Sequence, residues 1–371
     1  MSSPPIAPRS VRVSSLELFF DLVFVFTITQ LTDVLAEGHD FQALSRVVVM
    51  LLLIWWMYDG YAWLTNAIAT DRLRFRLLLV GGMGGFLIIA LAAPHAYEGD
   101  GVAFGLAYLA VVILHAGMFA RGTSLEEMRA IVRIAPFNLL AAIVVLAGGA
   151  LGDDAQTILW ALAGVMLWLT PRVTSVEGFV VGVSHFVERH GLVVIVALGE
   201  SIVVIGVGAE GLELDAGLVL VALLGLALNA ALWWVYFSDE TAVEEGFEAT
   251  PPERRAQLAL TAFGYWHFGI LLAVIAIAAG LKKAVGHPYD PLEDWIAIGL
   301  AAGTALYLYC DLGFRRTFGI PGNRVRAAAG VVAIATVFLG TEVSGVAQVG
   351  ALAALLTAAL VVGGAAGEPP G

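Results

Sequence analysis

Long apolar runs separated by short polar connections repeat along the whole chain. Each run has roughly twenty residues, the length an α-helix needs to cross a bilayer at about 1.5 Å per residue. The pattern predicts twelve transmembrane helices, at residues 15–36, 43–67, 74–93, 101–120, 128–149, 155–171, 187–208, 214–237, 256–280, 293–313, 323–341 and 344–364. The short connections leave no room for a soluble domain between these spans.

Composition favours the same class, an all-α integral membrane protein. Of the 371 residues, 60% are hydrophobic and 13% are charged, and the mean hydropathy is +0.88. A soluble domain would carry about a quarter charged residues. The single cysteine, Cys310, excludes an internal disulfide and a cysteine metal cluster. We therefore expect the lipid bilayer as partner, no nucleic acid, no cofactor and no metal; the oligomeric state stays open.

Basic residues predict the orientation of the spans. Sixteen of the nineteen Lys and Arg residues fall in the N-terminal segment or in connections that follow even-numbered spans. The other side holds only Arg46, Lys282 and Lys283. Basic residues collect on the cytoplasmic side of membrane proteins. The distribution predicts an even number of spans in the cell membrane, with both termini in the cytoplasm.

Two short segments occur twice, in the same order. LVFVFTITQ at 22–30 matches LVVIVALGE at 192–200, and WWMY at 55–58 matches WWVY at 233–236. We interpret the matches as two parallel six-helix repeats, related by a pseudo-two-fold axis along the membrane normal. The predicted divisions are an N-terminal segment (1–14), a first half (15–171), a connection (172–186), a second half (187–364) and a tail (365–371).

The first span carries two acids in SSLELFFDLVFVF, residues 14–26. Ser14 and Glu17 form an S-x-x-E capping box, which explains Glu17 structurally. Asp21 lies about 6 Å deeper at ~1.5 Å per residue. A lipid-facing acid at the bilayer centre costs ~2.5–3.5 kcal/mol on insertion scales, and less near the interface. Asp21 is therefore predicted to face protein or water, with an Arg or His partner or in a polar cluster with Glu17.

Two longer segments suggest a family. SLELFFDLVFVF in span 1 and HFVERHGLVVIVALGES at 185–201 stand in the expected order, and together they resemble the bacterial low temperature requirement protein A family. The resemblance implies a multi-pass bacterial membrane protein. It brings no established substrate, reaction or cofactor, so no catalytic residue is carried over from it.

Span 7 carries an acid at its predicted middle. Glu200 stands between Gly199 and Ser201, and its repeat counterpart is Gln30. Ionisable groups inside a membrane usually mark ion or proton pathways. The structural alternative is a protonated glutamate that hydrogen-bonds between helices. His267 in span 9 has the same two interpretations, a proton relay or a satisfied interhelical histidine.

Other polar residues lie near the predicted cytoplasmic ends of spans. Asp59 and Asp311 are expected to pair with arginines, and His115 lies near the end of span 4. The grouping His185, Glu188 and His190 lacks the HExxH spacing of a metal site, so solvated or salt-bridged side chains are expected there. The WWxY pairs are typical of interfacial aromatic anchors.

Three classes of function fit these features. A secondary transporter or ion- or proton-translocating protein is favoured, because it uses buried carboxylates. Acids without arginine near mid-depth favour a proton or cation over an anion. A non-transporting sensor or stress or assembly factor is the alternative; a membrane-embedded enzyme is less favoured, because His and Asp residues are scattered. The candidate ion-binding residues are Glu200, Gln30, Asp21, Ser201 and His267.

Overall fold

The computed structural model describes residues 13–38, 40–68, 72–122 and 124–365. All regular secondary structure in these residues is helical. Twelve helical segments among them are long and apolar enough to cross a membrane. The predicted class and the predicted number of spans are confirmed.

Helix bounds follow the apolar runs closely. The α-helices of the described residues are α1 Ser15–Glu37, α2 Phe41–Ala67, α3 Leu73–Ala92, α4 Gly101–Gly122, α5 Leu125–Leu151, α6 Asp153–Thr174, α7 Val183–Gly208, α8 Ala216–Phe237, α9 Glu240–Glu248, α10 Pro252–Ala259, α11 His267–Gly286, α12 Asp294–Thr317, α13 Arg324–Ala335, α14 Val337–Glu342 and α15 Gly345–Ala365. We call α1–α6 the N-terminal half and α7–α15 the C-terminal half.

Two spans are composite in ways the sequence did not predict. The ninth span joins α10 to α11 through a π-helix, Leu260–Trp266, and runs without a break from Pro252 to Gly286. The eleventh span divides into α13 and α14 at Thr336. π-Helical segments are rare and often occur at functional sites.

Helix starts are determined by local capping. The predicted capping box at Ser14 is confirmed: Glu17 N donates to Ser14 Oγ at 3.4 Å, and Ser14 N donates to Glu17 Oε2 at 2.8 Å. Ser124 and Glu127 form the same arrangement at the start of α5. Each box satisfies backbone N–H groups that have no partner within the helix.

The two halves meet through a few helices. α1 and α2 of the N-terminal half both pack against α7 and α11 of the C-terminal half. Within their own halves, α1 packs on α2 and α3, while α7 packs on α8 and α11. The helices that carry Asp21 and Glu200 therefore lie at the contact between halves.

The two WWxY pairs have different environments. Trp55 and Tyr58 are buried, because α2 lies between α1, α7 and the π-helix. The prediction that this pair anchors the protein at a membrane interface is wrong. In the second pair, Trp233 and Trp234 are 46% and 61% exposed, whereas Tyr236 is buried.

A buried polar interface between the halves

Asp21 of α1 forms an ion pair with Arg189 of α7. Arg189 Nη2 lies 2.9 Å from Asp21 Oδ1, and Arg189 Nη1 donates to Asp21 Oδ2 at 3.3 Å. The Tyr58 hydroxyl of α2 donates to the same carboxylate. Arg189 is fully buried, with its guanidinium 6.0 Å from the Phe20 ring centroid. The prediction that Asp21 faces protein and pairs with a basic residue is confirmed.

Glu17 links the halves one turn nearer the start of α1. His185 Nε2 of α7 lies 3.0 Å from Glu17 Oε1, and His185 Nδ1 lies 3.2 Å from the Asn66 amide of α2. The capping glutamate therefore also makes a contact between halves. His185 is buried, so it is salt-bridged rather than solvated. Glu188 accepts a hydrogen bond from Val13 N at 3.1 Å.

Asp59 pairs with a histidine, so the prediction of an arginine partner is wrong for this residue. His190 Nε2 lies 3.1 Å from Asp59 Oδ1, and His190 Nδ1 lies 2.8 Å from the Phe186 carbonyl oxygen. Each ring nitrogen of His190 therefore has an oxygen within hydrogen-bond distance.

The π-helix shapes the neighbouring region. Trp55 Nε1 of α2 donates to the Gly264 carbonyl at 2.8 Å. His267 Nδ1 donates to the Ala262 carbonyl at 3.0 Å, and His267 Nε2 lies 2.8 Å from the Tyr236 hydroxyl. Both nitrogens of this fully buried ring are thus satisfied. These contacts match the structural interpretation of His267; its role as an ion-binding residue stays a prediction.

Glu200 has no basic partner in the described residues. Its side chain is buried, beside the Thr29 hydroxyl and near the Asp33 carboxylate of α1. Glu200 Oε1 makes no hydrogen bond. Ser201 is also buried and its hydroxyl has no partner, while Gln30 is half-buried next to Thr29. Unsatisfied buried oxygens of this kind are uncommon in proteins.

The predicted position of Glu200 in the middle of its helix needs correction. α7 begins at Val183, four residues before the predicted start, so Glu200 lies about 7 Å beyond the midpoint of the helix at ~1.5 Å per residue. A Cβ atom at Gly199 would have nothing within 4 Å. No neighbouring helix of the described residues therefore packs against Gly199.

Two acids beyond Glu200 were not singled out in the sequence. Lys282 Nζ of α11 lies 2.8 Å from Asp33 Oδ1 and 3.2 Å from Glu37 Oε1. A four-residue spacing along α1 could have identified them, because residues four apart lie on one ridge of a helix. The ridge consists of Glu17, Asp21, Val25, Thr29, Asp33 and Glu37.

A second polar cluster lies within the C-terminal half. Asp311 Oδ2 of α12 accepts from Arg315 Nε at 2.8 Å and from Arg326 Nη1 at 3.1 Å, and Asp239 also pairs with Arg315. The prediction that Asp311 pairs with arginines is confirmed. His115 lies in the N-terminal half, where its Nε2 donates to the Gly60 carbonyl at 2.9 Å.

Comparison with known proteins identifies the family. A sequence model described as bacterial low temperature requirement A protein (LtrA) matches residues 12–362. A protein of Rhizobium meliloti (strain 1021), described as uncharacterized, is 28% identical over 323 residues, which cover 82% of this chain and 77% of that protein. The match to the family extends from the start of α1 into α15, across all twelve spans. The chain therefore belongs to the bacterial low temperature requirement A family of multi-pass membrane proteins.

Proposed function

We propose that the protein moves a proton or small cation across the bacterial cell membrane along the contact between α1 and α7. The supporting observation is Glu200, a buried carboxyl that has an unpartnered oxygen and lies beside Thr29 and near a second acid. A carboxylate without a basic partner is costly in an apolar environment, so it takes up a proton or binds a cation. Reversible uptake at this position is the chemical step of translocation.

Polar groups on both sides of an apolar layer support this route. Asp21 and Thr29 are eight residues apart on α1, about 12 Å at ~1.5 Å per residue. Between them, Phe24 and Ile28 are buried with Val193 of α7. A layer of this kind prevents a continuous leak, so passage requires relative movement of the halves.

The His190–Asp59 pair offers a second proton-holding group on the other side of this layer. Its support is the contact of both His190 ring nitrogens with oxygens, those of the Asp59 carboxylate and the Phe186 carbonyl. A proton leaving Glu200 toward the start of α7 would meet this pair next. We assign it the role of the second exchange group.

We also propose that the two halves are repeats, an architecture common among secondary transporters. Corresponding helices have corresponding neighbours. In the N-terminal half α1 packs on α2 and α3, as α7 packs on α8 and α11 in the C-terminal half. Likewise α2 packs on α4 and α6, as α8 packs on α12 and α15. One hydrogen bond between corresponding helices also recurs. Tyr108 Oη of α4 donates to Leu53 O of α2, and Tyr307 Oη of α12 donates to Leu232 O of α8.

The orientation we propose places the starts of α1 and α7 at the cytoplasmic face. The distribution of sixteen basic residues against three supports it. Lys282, Asp33 and Glu37 would then lie at the outer mouth of the route. Asp59, His190 and the Asp21–Arg189 pair would lie at the inner mouth.

Replacement of Glu200 by glutamine tests the function. Gln keeps the size and hydrogen bonding of the side chain but does not ionise, so Glu200→Gln should fold and insert and yet lose at least tenfold of the flux. The assay uses proteoliposomes with a trapped pH-sensitive dye and imposed proton, Na⁺ or K⁺ gradients. The control is Glu210→Gln in the exposed loop after α7, which should leave the flux unchanged. Full flux in Glu200→Gln, or no flux in the unmodified protein, would contradict the proposal.

A further inference from the structure

Three acids lead from the surface to the interior at one end of the contact between α1 and α7. The side chain of Glu37, the last residue of α1, is 65% exposed, and that of Asp33 is 41% exposed. Glu200 is 5% exposed and lies near Asp33. A cation that approaches Glu200 from this end meets the carboxylates of Asp33 and Glu37 first. We call these two residues the entrance pair.

Lys282 of α11 lies between the two carboxylates of the entrance pair. Its Nζ is 2.8 Å from Asp33 Oδ1 and 3.2 Å from Glu37 Oε1. The backbone of α11 is held here by close packing on the end of α7, since a Cβ atom at Gly208 would lie 2.8 Å from the Lys282 carbonyl oxygen. The helix that positions this ammonium group therefore contacts both α1 and α7.

The contacts of Lys282 can open without unfolding the protein. Ion pairs that are exposed to this degree add little stability, because water and salt screen them. Lysine carries a compact charge on a flexible four-carbon stem, so its ammonium group can leave the entrance pair while its backbone stays in place. The ammonium group also presents the same single charge to the two carboxylates as a monovalent cation does.

We propose that Lys282 is a tethered competitor, an ammonium group that occupies the entrance pair until the carried cation displaces it. The inference rests on the proposed function, because it assigns Lys282 the control of access to Glu200. At a low cation concentration the lysine stays on the entrance pair and uptake is slow. At a high concentration the carried cation replaces it and proceeds to Glu200. The alternative is a structural link between α1 and α11 that has no role in uptake.

Replacement of Lys282 distinguishes these two roles by the cation concentration that gives half-maximal flux. In proteoliposomes with imposed gradients of the carried cation, Lys282→Met should lower this concentration about threefold or more, because the competing charge is gone and the entrance becomes more negative. The maximal flux should stay the same. Lys282→Arg keeps the charge and should retain the concentration of the unmodified protein. Lys283→Met is the matched control, because Lys283 Nζ lies 3.5 Å from Glu37 Oε2 and forms no ion pair with Asp33 in the described residues.

Asp33→Asn tests the entrance pair in the opposite direction. It removes the acid for which the lysine and the carried cation compete, so the half-maximal concentration should rise about threefold or more; this variant is informative even if Lys282→Met inserts poorly. An unchanged half-maximal concentration in either variant would overturn the inference and leave Lys282 as a structural link. Absence of flux in the unmodified protein would instead overturn the proposed function, and this inference with it.

Discussion

The contact between α1 and α7 has two regions that treat buried acids differently. Where both helices begin, Asp21 pairs with Arg189 and Glu17 pairs with His185, so acids of one half meet basic groups of the other. Toward the other end, Glu200 lies near Asp33 instead, and one of its oxygens has no partner. We call these the paired region and the unpaired region. We propose that the first region holds the halves in register, and that the second exchanges an ion.

Energetics support this division of roles. A buried ion pair adds little net stability, because desolvation offsets the attraction, but removal of one partner costs ~3–5 kcal/mol. The paired region is therefore sensitive to single changes. A carboxyl without a basic partner leaves no buried cation unpaired when it is replaced. Its replacement by a neutral isostere is therefore expected to lower the free energy of unfolding only slightly.

Asp21→Leu should have the largest effect, because it leaves Arg189 buried without its partner. We expect a loss of ~3–5 kcal/mol in the free energy of unfolding, measured by reversible unfolding in mild uncharged detergent. The double variant Asp21→Leu, Arg189→Met should recover most of the loss. A stable single variant would show that the paired region does not hold the halves together.

Glu17→Gln should have an intermediate effect. Glutamine can still complete the capping box with Ser14, but it loses the charged contact to His185. We expect a loss of ~1–2 kcal/mol by the same unfolding measurement. Glu126→Gln, at an exposed acid in the first turn of α5, is the control. A loss as large as that of Asp21→Leu would mean that capping and pairing are not separable here.

Lys282→Met should have the smallest effect on stability. The Lys282 side chain is 18% exposed, and it bridges Asp33 and Glu37, whose side chains are 41% and 65% exposed. Pairs of this kind contribute ~0–1 kcal/mol, so the unfolding curve should move little. A loss comparable to that of Glu17→Gln would place Lys282 in the paired region and weaken the comparison.

Local features of the fold were predictable from the sequence. The length of each apolar run determined the spans, and Ser14 with Glu17 determined the start of α1, because both depend on neighbouring residues alone. The burial of Asp21 in a polar contact also followed from the cost of exposing an acid to lipid. These predictions needed no knowledge of which helices pack together.

Contacts across the chain were harder to predict. Arg189 was counted only as one of the basic residues of the predicted cytoplasmic side, yet it pairs with Asp21, 168 residues away. Asp59 was predicted to pair with an arginine but pairs with His190, because α2 packs against α7, α11 and the π-helix, to which Trp55 is hydrogen-bonded. Such pairings depend on three-dimensional packing, which a single sequence does not show.

Carbodiimide labelling tests the distinction between the two regions most directly. A hydrophobic carbodiimide reacts with protonated carboxyls inside membranes, and ion-paired carboxylates are spared. After labelling of the full chain in liposomes, peptide mass spectrometry should find Glu200 modified and Asp21 and Asp311 unmodified, with protection of Glu200 by whichever cation the protein carries. Modification of Asp21 while Glu200 stays unlabelled would contradict the assignment of Glu200 as the exchanging group.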